Sequence, residues 1–265
     1  MFGSTKIYGC IADPIDHVKA PTIFTSIFKE KKIDAIMVPI HVNKSNLENV
    51  ISSLKAIENF EGMTVTIPHK ISVTNLCDHL EPDAEFTQSV NWIKFNKDRK
   101  LIGNNFDGQG FIKGFKSKNF LIKNKRVCIF GAGGAAISIA CSLAKEQIKS
   151  LKIINRDINK AKELLKKTKL LDKDLCIEAG GNNEDCLLSD FDIIINSTSL
   201  GLFKNDKLPF DVTKTSPQSV IADIIMQPSE TELLKRAKDL GRSVHYGKYM
   251  LESQVDLVGS FLDLW

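Results

Sequence analysis

The sequence predicts an α/β protein built as two α/β domains around a cleft, and three observations predict it. Short apolar runs alternate with amphipathic helical patterns along the chain, as βαβ units require. The alternation comes in two series, the first giving way to the second between Asn104 and Gly110. In the second series a glycine-rich turn, Gly131 to Gly134, separates a strand-like run from a helical one. The length of 265 residues suits two domains of roughly 100–150 residues each.

In the first series Lys6 to Ala12 reads as a strand, and Pro21 to Lys32 as a helix with proline in its first turn. Ala35 to Val42 is a second strand. Asn43 to Ile57 is amphipathic, with Leu47, Val50, Ile51 and Leu54 spaced to share one helical face. Met63 to Ile67 is a third strand, stopped by Pro68. Val90 to Phe95 and Lys100 to Gly103 follow as strands joined by the polar turn Asn96-Lys97-Asp98-Arg99. Strands separated by helices imply a largely parallel sheet.

The second series runs as a strand at Arg126 to Phe130, a helix at Gly134 to Glu146, and a strand at Leu151 to Asn155. A helix at Ile158 to Lys169 and strands at Leu175 to Ala179, Asp192 to Asn196 and Val220 to Ile225 follow. Ser229 to Leu240 is helical. A closing helix, Met250 to Leu264, carries Leu251, Val255, Val258, Phe261 and Leu262 on one stripe. The chain contains neither an internal repeat nor a low-complexity linker.

Composition narrows the function. With 43% hydrophobic residues, 26% charged residues and 15 Phe, the chain can bury a core, which excludes disorder, collagen and coiled coil. The net charge is +4, with 31 lysines dispersed along the chain against 5 arginines. A nucleic-acid reader concentrates its basic residues and favours arginine, so this basicity reads as a solvated surface and no nucleic acid is expected. Cys10, Cys77, Cys128, Cys141, Cys176 and Cys186 form no CxxC pair and have no histidine at zinc-finger spacing, so no metal is expected. Cys10, Cys128 and Cys176 sit in apolar runs, where a reduced cysteine behaves as a small hydrophobe, and a reducing compartment follows. The first residues lack the apolar stretch of a signal peptide, and Val127 to Ala144 is broken by glycines into strand, turn and helix. A cytoplasmic protein with no membrane partner is expected, as monomer or homodimer.

Gly131-Ala132-Gly133-Gly134-Ala135-Ala136 fits G-x-G-x-x-A between a strand and a helix, the fingerprint of a Rossmann-type dinucleotide-binding domain. The first glycine permits the tight turn, the second lets backbone approach a pyrophosphate, and the helix N-terminus faces the anion. Past the next strand stand Asn155, Arg156 and Asp157, with Lys160 one turn on. An acid there binds ribose hydroxyls and an arginine holds a 2′-phosphate. Arg156 and Lys160 favour NADP while Asp157 keeps NAD open; as exposed charges at a helix start, Asp157 would serve only as an N-cap.

With these residues in place, the sequence resembles the shikimate dehydrogenase family over nearly its whole length. The matching stretches are Gly9 to Pro21 with Asp13-Pro14-Ile15, Thr66-Ile67-Pro68-His69-Lys70, Val90-Asn91, Asn105-Phe106-Asp107-Gly108 and Gly131 to Ala135. Asn155-Arg156, Asn196 to Gly201, Asp223 to Leu234 and Gly247 to Gln254 continue the match. The order and spacing of these motifs together are specific. The resemblance implies NAD(P)-linked interconversion of a ring hydroxyl and a ketone, on shikimate or a relative such as quinate or aminoshikimate, in the chorismate pathway of aromatic amino acid biosynthesis. It implies a substrate domain of residues 1–106 plus 241–265 and a nucleotide domain of residues 107–240. Lys70 and Asp107 become the catalytic pair, and Thr66, Asn91, Asn105 and Gln254 the substrate's hydrogen-bonding partners. Thr198, Met226 and Gly247 join the cofactor residues Gly131, Ala132, Gly133, Gly134, Ala135, Asn155, Arg156, Asp157 and Lys160. The chemistry fits: a desolvated lysine loses its proton more easily, and a carboxylate can orient it.

The departures are as informative. Family members commonly carry two serines, spaced S-x-S before a proline, that bind the substrate carboxylate; here Val18 and Ala20 precede Pro21. Met226 replaces the usual tyrosine and Phe106 the usual threonine, while Gly247 with Tyr249 is kept. Carboxylate recognition has moved, to Lys19, His17 or backbone groups, or the substrate differs. His69 is either a new substrate contact or a solvent-facing turn residue. Two other readings stay open: a dehydrogenase for another cyclic hydroxy acid, and a nucleotide sensor that has lost the chemistry.

Overall fold

The computed structural model describes residues 2–181 and 186–265. It divides into two compact units, one running to Phe106 and including Gln254–Trp265, the other spanning Asp107–Ser253.

The first unit contains β1 (Lys6–Ala12), α1 (Ala20–Glu30), β2 (Ala35–His41), α2 (Leu47–Leu54), β3 (Phe60–Val65), β4 (His79–Leu80), α3 (Pro82–Thr87), β5 (Trp92–Phe95) and β6 (Leu101–Asn104). The helix Val255–Phe261 completes it. The strands form one sheet in the order β2-β1-β3-β5-β6-β4. β1 runs parallel to β2 and β3, but β5 is antiparallel to β3 and to β6. The sheet is therefore largely parallel as expected, with β5 the one antiparallel strand of its six. The five residues Asn96–Lys100 are too few for a crossover, so β5 and β6 close as a hairpin in which Asn96 Oδ1 accepts from Asp98 N and Lys100 N.

Alternation along β1 sends Ile7 and Ile11 to one face and Tyr8 and Cys10 to the other. Ile11 joins Leu47, Ile51, Phe60 and Val65 in a buried cluster. On the opposite face Tyr8, Phe24, Phe28 and Trp92 stack, with ring centroids 4.8–6.2 Å apart. Phe261 packs against Phe106 at 5.5 Å, which ties the returning helix to this unit. Arg99 donates to the carbonyls of Leu54, Lys55, Ile57 and Phe60, placing a cation at the C-terminus of α2.

The second unit runs α4 (Asp107–Ser117), β7 (Arg126–Phe130), α5 (Gly134–Lys145), β8 (Ser150–Ile154), α6 (Ile158–Leu171), β9 (Cys176–Gly180), β10 (Ile193–Asn196), β11 (Val220–Asp223), α7 (Glu232–Asp239), β12 (Ser243–His245) and α8 (Gly247–Glu252). Its sheet is wholly parallel, in the order β12-β11-β10-β7-β8-β9, the doubly wound order of dinucleotide-binding domains. Val127, Ile129, Ile153 and Ile193 pack beneath one layer of helices, and Cys128, Phe130, Ile194 and Ile221 beneath the other. Both faces are covered, which explains the continuous apolar runs of these strands.

Several expectations change. The closing helix is two, α8 and Val255–Phe261, separated by Ser253 and Gln254. Residues 241–253 stay with the second unit instead of the first, because β12 pairs with β11 and α8 packs on α4. The predicted helix at 43–57 is a single 3-10 turn at Lys44–Asn46 followed by the shorter α2. Cys176 is exposed, because β9 is the sheet's edge strand. Among the described residues no helix is long and apolar enough to cross a membrane. Nor do His, Cys, Asp and Glu there gather in a group of three able to hold a metal.

One buried histidine gives a test of stability. His245 is fully buried, with Phe111, Phe115, Phe120 and Tyr249 within 5.2–6.5 Å of its ring. Burial pushes its pKa down from 6.5 to about 4, and Lys118 adds to the shift. The unfolded chain therefore binds a proton that the native chain refuses, so this contribution is complete above pH 6.5 and is lost as the pH falls towards 4. Between pH 7 and pH 5 the loss should be about 2 kcal/mol. Denaturant unfolding of wild type and His245→Phe at both pH values checks this, because the variant should lose that part of the pH slope. Equal slopes would assign the acid sensitivity to other groups.

Candidate functional site

In the first unit the chain leaving the parallel strands gathers at one end of the sheet. Asp13 N donates to Ile67 O, Val42 N to Ala12 O and Thr66 N to Ile11 O, so the segments after β1, β2 and β3 lie side by side. This is the end of an α/β sheet at which ligands bind. Lys70 sits here, partly exposed, and its carbonyl accepts from Val90 N and Thr74 Oγ1. Thr66 is partly exposed beside it.

The predicted amides converge. Asn91, Asn105 and Gln254 are 3%, 1% and 2% exposed, a degree of burial that polar side chains tolerate only when bonded. Asn91 Nδ2 donates to Gln254 Oε1 at 3.1 Å, and Asn91 Oδ1 accepts from Phe106 N at 2.9 Å. Asn105 Nδ2 donates to Ser89 O and Oγ. Ser89, absent from the residues the sequence predicts, is thus part of the support. As one serine in a polar stretch it carries no sequence signal.

Val18 is half-buried, and Ala20 is the buried first residue of α1. Neither brings a hydroxyl. Beside them His17 has a buried Nδ1 with no hydrogen-bond partner, and burial lowers its pKa, so the ring is neutral at pH 7. His69 is not a solvent-facing turn residue. It is fully buried, and its Nε2 bonds to Val42 O at 2.7 Å, which fastens the end of β2 to the segment before Lys70.

In the second unit Asp107 opens α4 and is 2% exposed. Gly131 takes a φ of +110°, where a Cβ would press on Ser197, so only glycine turns the chain there without strain. A Cβ added to Gly133 would meet nothing within 4 Å, which leaves open space at the N-cap of the 12-residue α5. Ala132 and Ala135 flank it, and Ala136 is buried against the sheet. A pyrophosphate fits this cradle: small residues, an open approach and a positive helix end.

Arg156 and Lys160 are exposed, and Asn155 Nδ2 donates to Asp157 O. Asp157 is the N-cap of α6, its carboxylate accepting from Asn159 N at 3.1 Å. The carboxylate that favoured NAD is therefore engaged in capping. The loop after β10 is fixed by Asn196, which donates to Leu200 O and to Asp223 Oδ1 and accepts from Thr198 N and Oγ1. Thr231 donates to the other Asp223 oxygen. Burial, opposed by the bonds from Ile225, Thr231 and Asn196, lifts the Asp223 carboxyl to about 6. This buried anchor was visible in the sequence only as an acid closing an apolar run. Met226 follows the next turn, half-buried, and Gly247 starts α8 so close to Ile224 and Ile225 that a Cβ would lie 2.5 Å from a carbonyl.

Comparison with known proteins covers both units. The family model for the shikimate dehydrogenase substrate binding domain matches residues 10–93, and that for shikimate / quinate 5-dehydrogenase matches residues 115–228. The shikimate dehydrogenase (NADP+) of Nitrosopumilus maritimus is 35% identical over 252 residues, covering 94% of this chain and 90% of its own. A crystal structure of a shikimate dehydrogenase in complex with NADP+ superposes with a TM-score of 0.88 at 33% identity, over 99% of this chain and 91% of that one. A ligand-free 5-ketofructose reductase from a Gluconobacter strain gives 0.81 at 30% identity, over 97% and 92%. By models matching both units and by these full-length likenesses, the chain belongs to the shikimate dehydrogenase family.

Proposed function

We propose that the protein is an NADP-dependent dehydrogenase that interconverts shikimate and its 3-dehydro ketone. The observation that carries this is the family match across both units, on a chain whose glycine cradle is open and whose Asp157 is spent on a cap. NADP would supply the hydride acceptor for the oxidation of the ring hydroxyl. The Gly131–Ala135 turn and the N-terminus of α5 hold its pyrophosphate, Asn155 supports the ribose end, and Arg156 with Lys160 pairs the 2′-phosphate. Thr198, Met226 and Gly247 would border its nicotinamide.

In this reading Lys70 takes the hydroxyl proton as the ketone forms and returns it in the reverse direction, and Asp107 is the second catalytic residue that the family resemblance implies. Thr66, Asn91, Asn105 and Gln254 pair the ring hydroxyls; buried hydroxyls without partners would cost roughly 1–3 kcal/mol each. The sheet end gathers Lys70 and Thr66, and the Asn91–Gln254 bond holds the two amides in a defined orientation. A second reading, a ring or polyol substrate without a carboxylate, is favoured by Val18 and Ala20 and by the likeness to a 5-ketofructose reductase.

The test is an assay crossing shikimate, quinate, aminoshikimate and 5-ketofructose with both nicotinamide cofactors. Shikimate with NADP should give the highest kcat/KM. Preference for a substrate without a carboxylate would select the second reading, and no turnover with intact nucleotide binding would overturn both. Arg156→Ala should raise the KM for NADP at least tenfold, about 1.4 kcal/mol, and leave that for NAD nearly unchanged. Equal effects on both would remove Arg156 from the 2′-phosphate.

A further inference from the structure

One buried acid at the carboxyl end of the second sheet has no part in the chemistry above. Asn196 ends β10 and Asp223 ends β11, and the two are register partners on adjacent parallel strands. With Thr231 they are sealed from water, at 0%, 1% and 1% exposure. Asp223 Oδ1 accepts from Asn196 Nδ2 at 3.2 Å and from Ile225 N at 3.0 Å, and Oδ2 accepts from Thr231 Oγ1 at 2.8 Å. These three partners are neutral. Burying an acid among neutral donors costs more desolvation than burying an amide there, so packing alone does not call for it.

Two of the bonds lead to residues of the proposed nicotinamide site. Asn196, held by Asp223, in turn accepts from Thr198 N and Oγ1. The bond from Ile225 N fixes the turn whose next residue is Met226. Gly247 lies against the same turn, where a Cβ would come 2.5 and 2.6 Å from the Ile225 and Ile224 carbonyl oxygens. The third bond reaches the N-cap of α7, where the Thr231 hydroxyl gives its proton to Asp223 and accepts from Leu234 N. A carboxylate accepts at both ends and can take all three donors at once, which an amide cannot.

We propose that Asp223 is the positioning residue of the nicotinamide site, its two oxygens fixing the loop after β10, the turn after β11 and the start of α7. It acts through Thr198, Met226 and Gly247, and the inference rests on the cofactor-side role proposed for those three. Asp223, Asn196 and Thr231 satisfy one another, so the network has one arrangement, and removing its centre frees the attached segments together. The residues proposed for the adenine half follow β7 and β8 instead, so the two halves of the cofactor can be probed apart.

The experiment compares wild type, Asp223→Ala and Asp223→Asn in three measurements. They are kcat, the fluorescence of bound NADPH, which reports on its nicotinamide ring, and the affinity for 2′,5′-ADP, which lacks that ring. Asp223→Ala should lower kcat at least about tenfold and move the NADPH fluorescence towards that of the free nucleotide, with 2′,5′-ADP affinity within about threefold of wild type. Asp223→Asn should restore most of both signals, because its oxygen keeps the bonds from Asn196 and Ile225 while its NH2 donates to Thr231. Since position 223 is buried, Asn196→Ala serves as a second variant that cuts the Thr198 branch alone, and it should show the same selective loss in smaller degree. Wild-type behaviour of either alanine variant, a parallel loss of 2′,5′-ADP binding, or an asparagine variant no better than alanine would overturn the role. Wild type that binds 2′,5′-ADP but leaves NADPH fluorescence unchanged would refute the nicotinamide site itself, and this inference with it.

Discussion

Lys70→Ala is expected to lower turnover by two to four orders of magnitude while the affinity for NADP barely changes. A positioned general acid–base contributes about 10²–10⁴-fold, and nothing in the alanine variant replaces it. The substitution should cost little stability, because Lys70 is partly exposed and its backbone carbonyl, which accepts from Val90 N, is retained. Steady-state kinetics across pH, with nucleotide affinity measured separately, checks this. A loss under tenfold at the pH optimum would take Lys70 out of proton transfer. Asp107→Ala should also be impaired. If the two act as a unit, the double variant falls well short of the product of the single losses; full multiplication would show independent roles.

The second large effect concerns Val18 and Ala20, which stand where the family resemblance leads one to expect two serines. Each hydrogen bond to a charged group contributes about 1.5–3 kcal/mol, so two missing hydroxyls could weaken shikimate more than a hundredfold. Val18→Ser with Ala20→Ser should lower the KM for shikimate towards that factor and leave its carboxamide much less affected. Serine is well tolerated at a helix start, so the double variant should fold. Tight binding of shikimate by the wild type, with no gain from the serines, would show that another group holds the carboxylate. Lys19 is then the first residue to replace, followed by His17, whose buried Nδ1 lacks a partner.

Much of the fold was legible because period and punctuation agreed. Five of the six strands of the second sheet, β7 to β11, fall on runs read as strands from the sequence, while the three-residue β12 does not. Gly133 and Asp157 mark the starts of α5 and α6. What escaped had local reasons. α4 carries Gly108, Gly110 and Gly114, which depress helix propensity, yet all three are buried where α4 packs against its neighbours. The break at Ser253–Gln254 hides inside an uninterrupted apolar stripe. In the site, the nucleotide turn could be read from spacing, because its chemistry is local. The Asn91–Gln254 bond joins residues 163 positions apart, and no short pattern pairs them; only the family resemblance named both. The burial of His69 was invisible for the same reason, since its partner, Val42, lies 27 residues earlier, just past the end of β2.

The discontinuity of the first unit sets an order of events during synthesis. The second unit is one unbroken segment, Asp107–Ser253, and it can close its core as soon as that segment has left the ribosome. The first unit begins earlier but must wait. Its sheet can assemble, yet Phe106 still lacks Phe261 and Asn91 still lacks Gln254 until residues 254–265 arrive. The half made first is therefore the half finished last, and until then an incomplete apolar surface stands open for chaperones to cover.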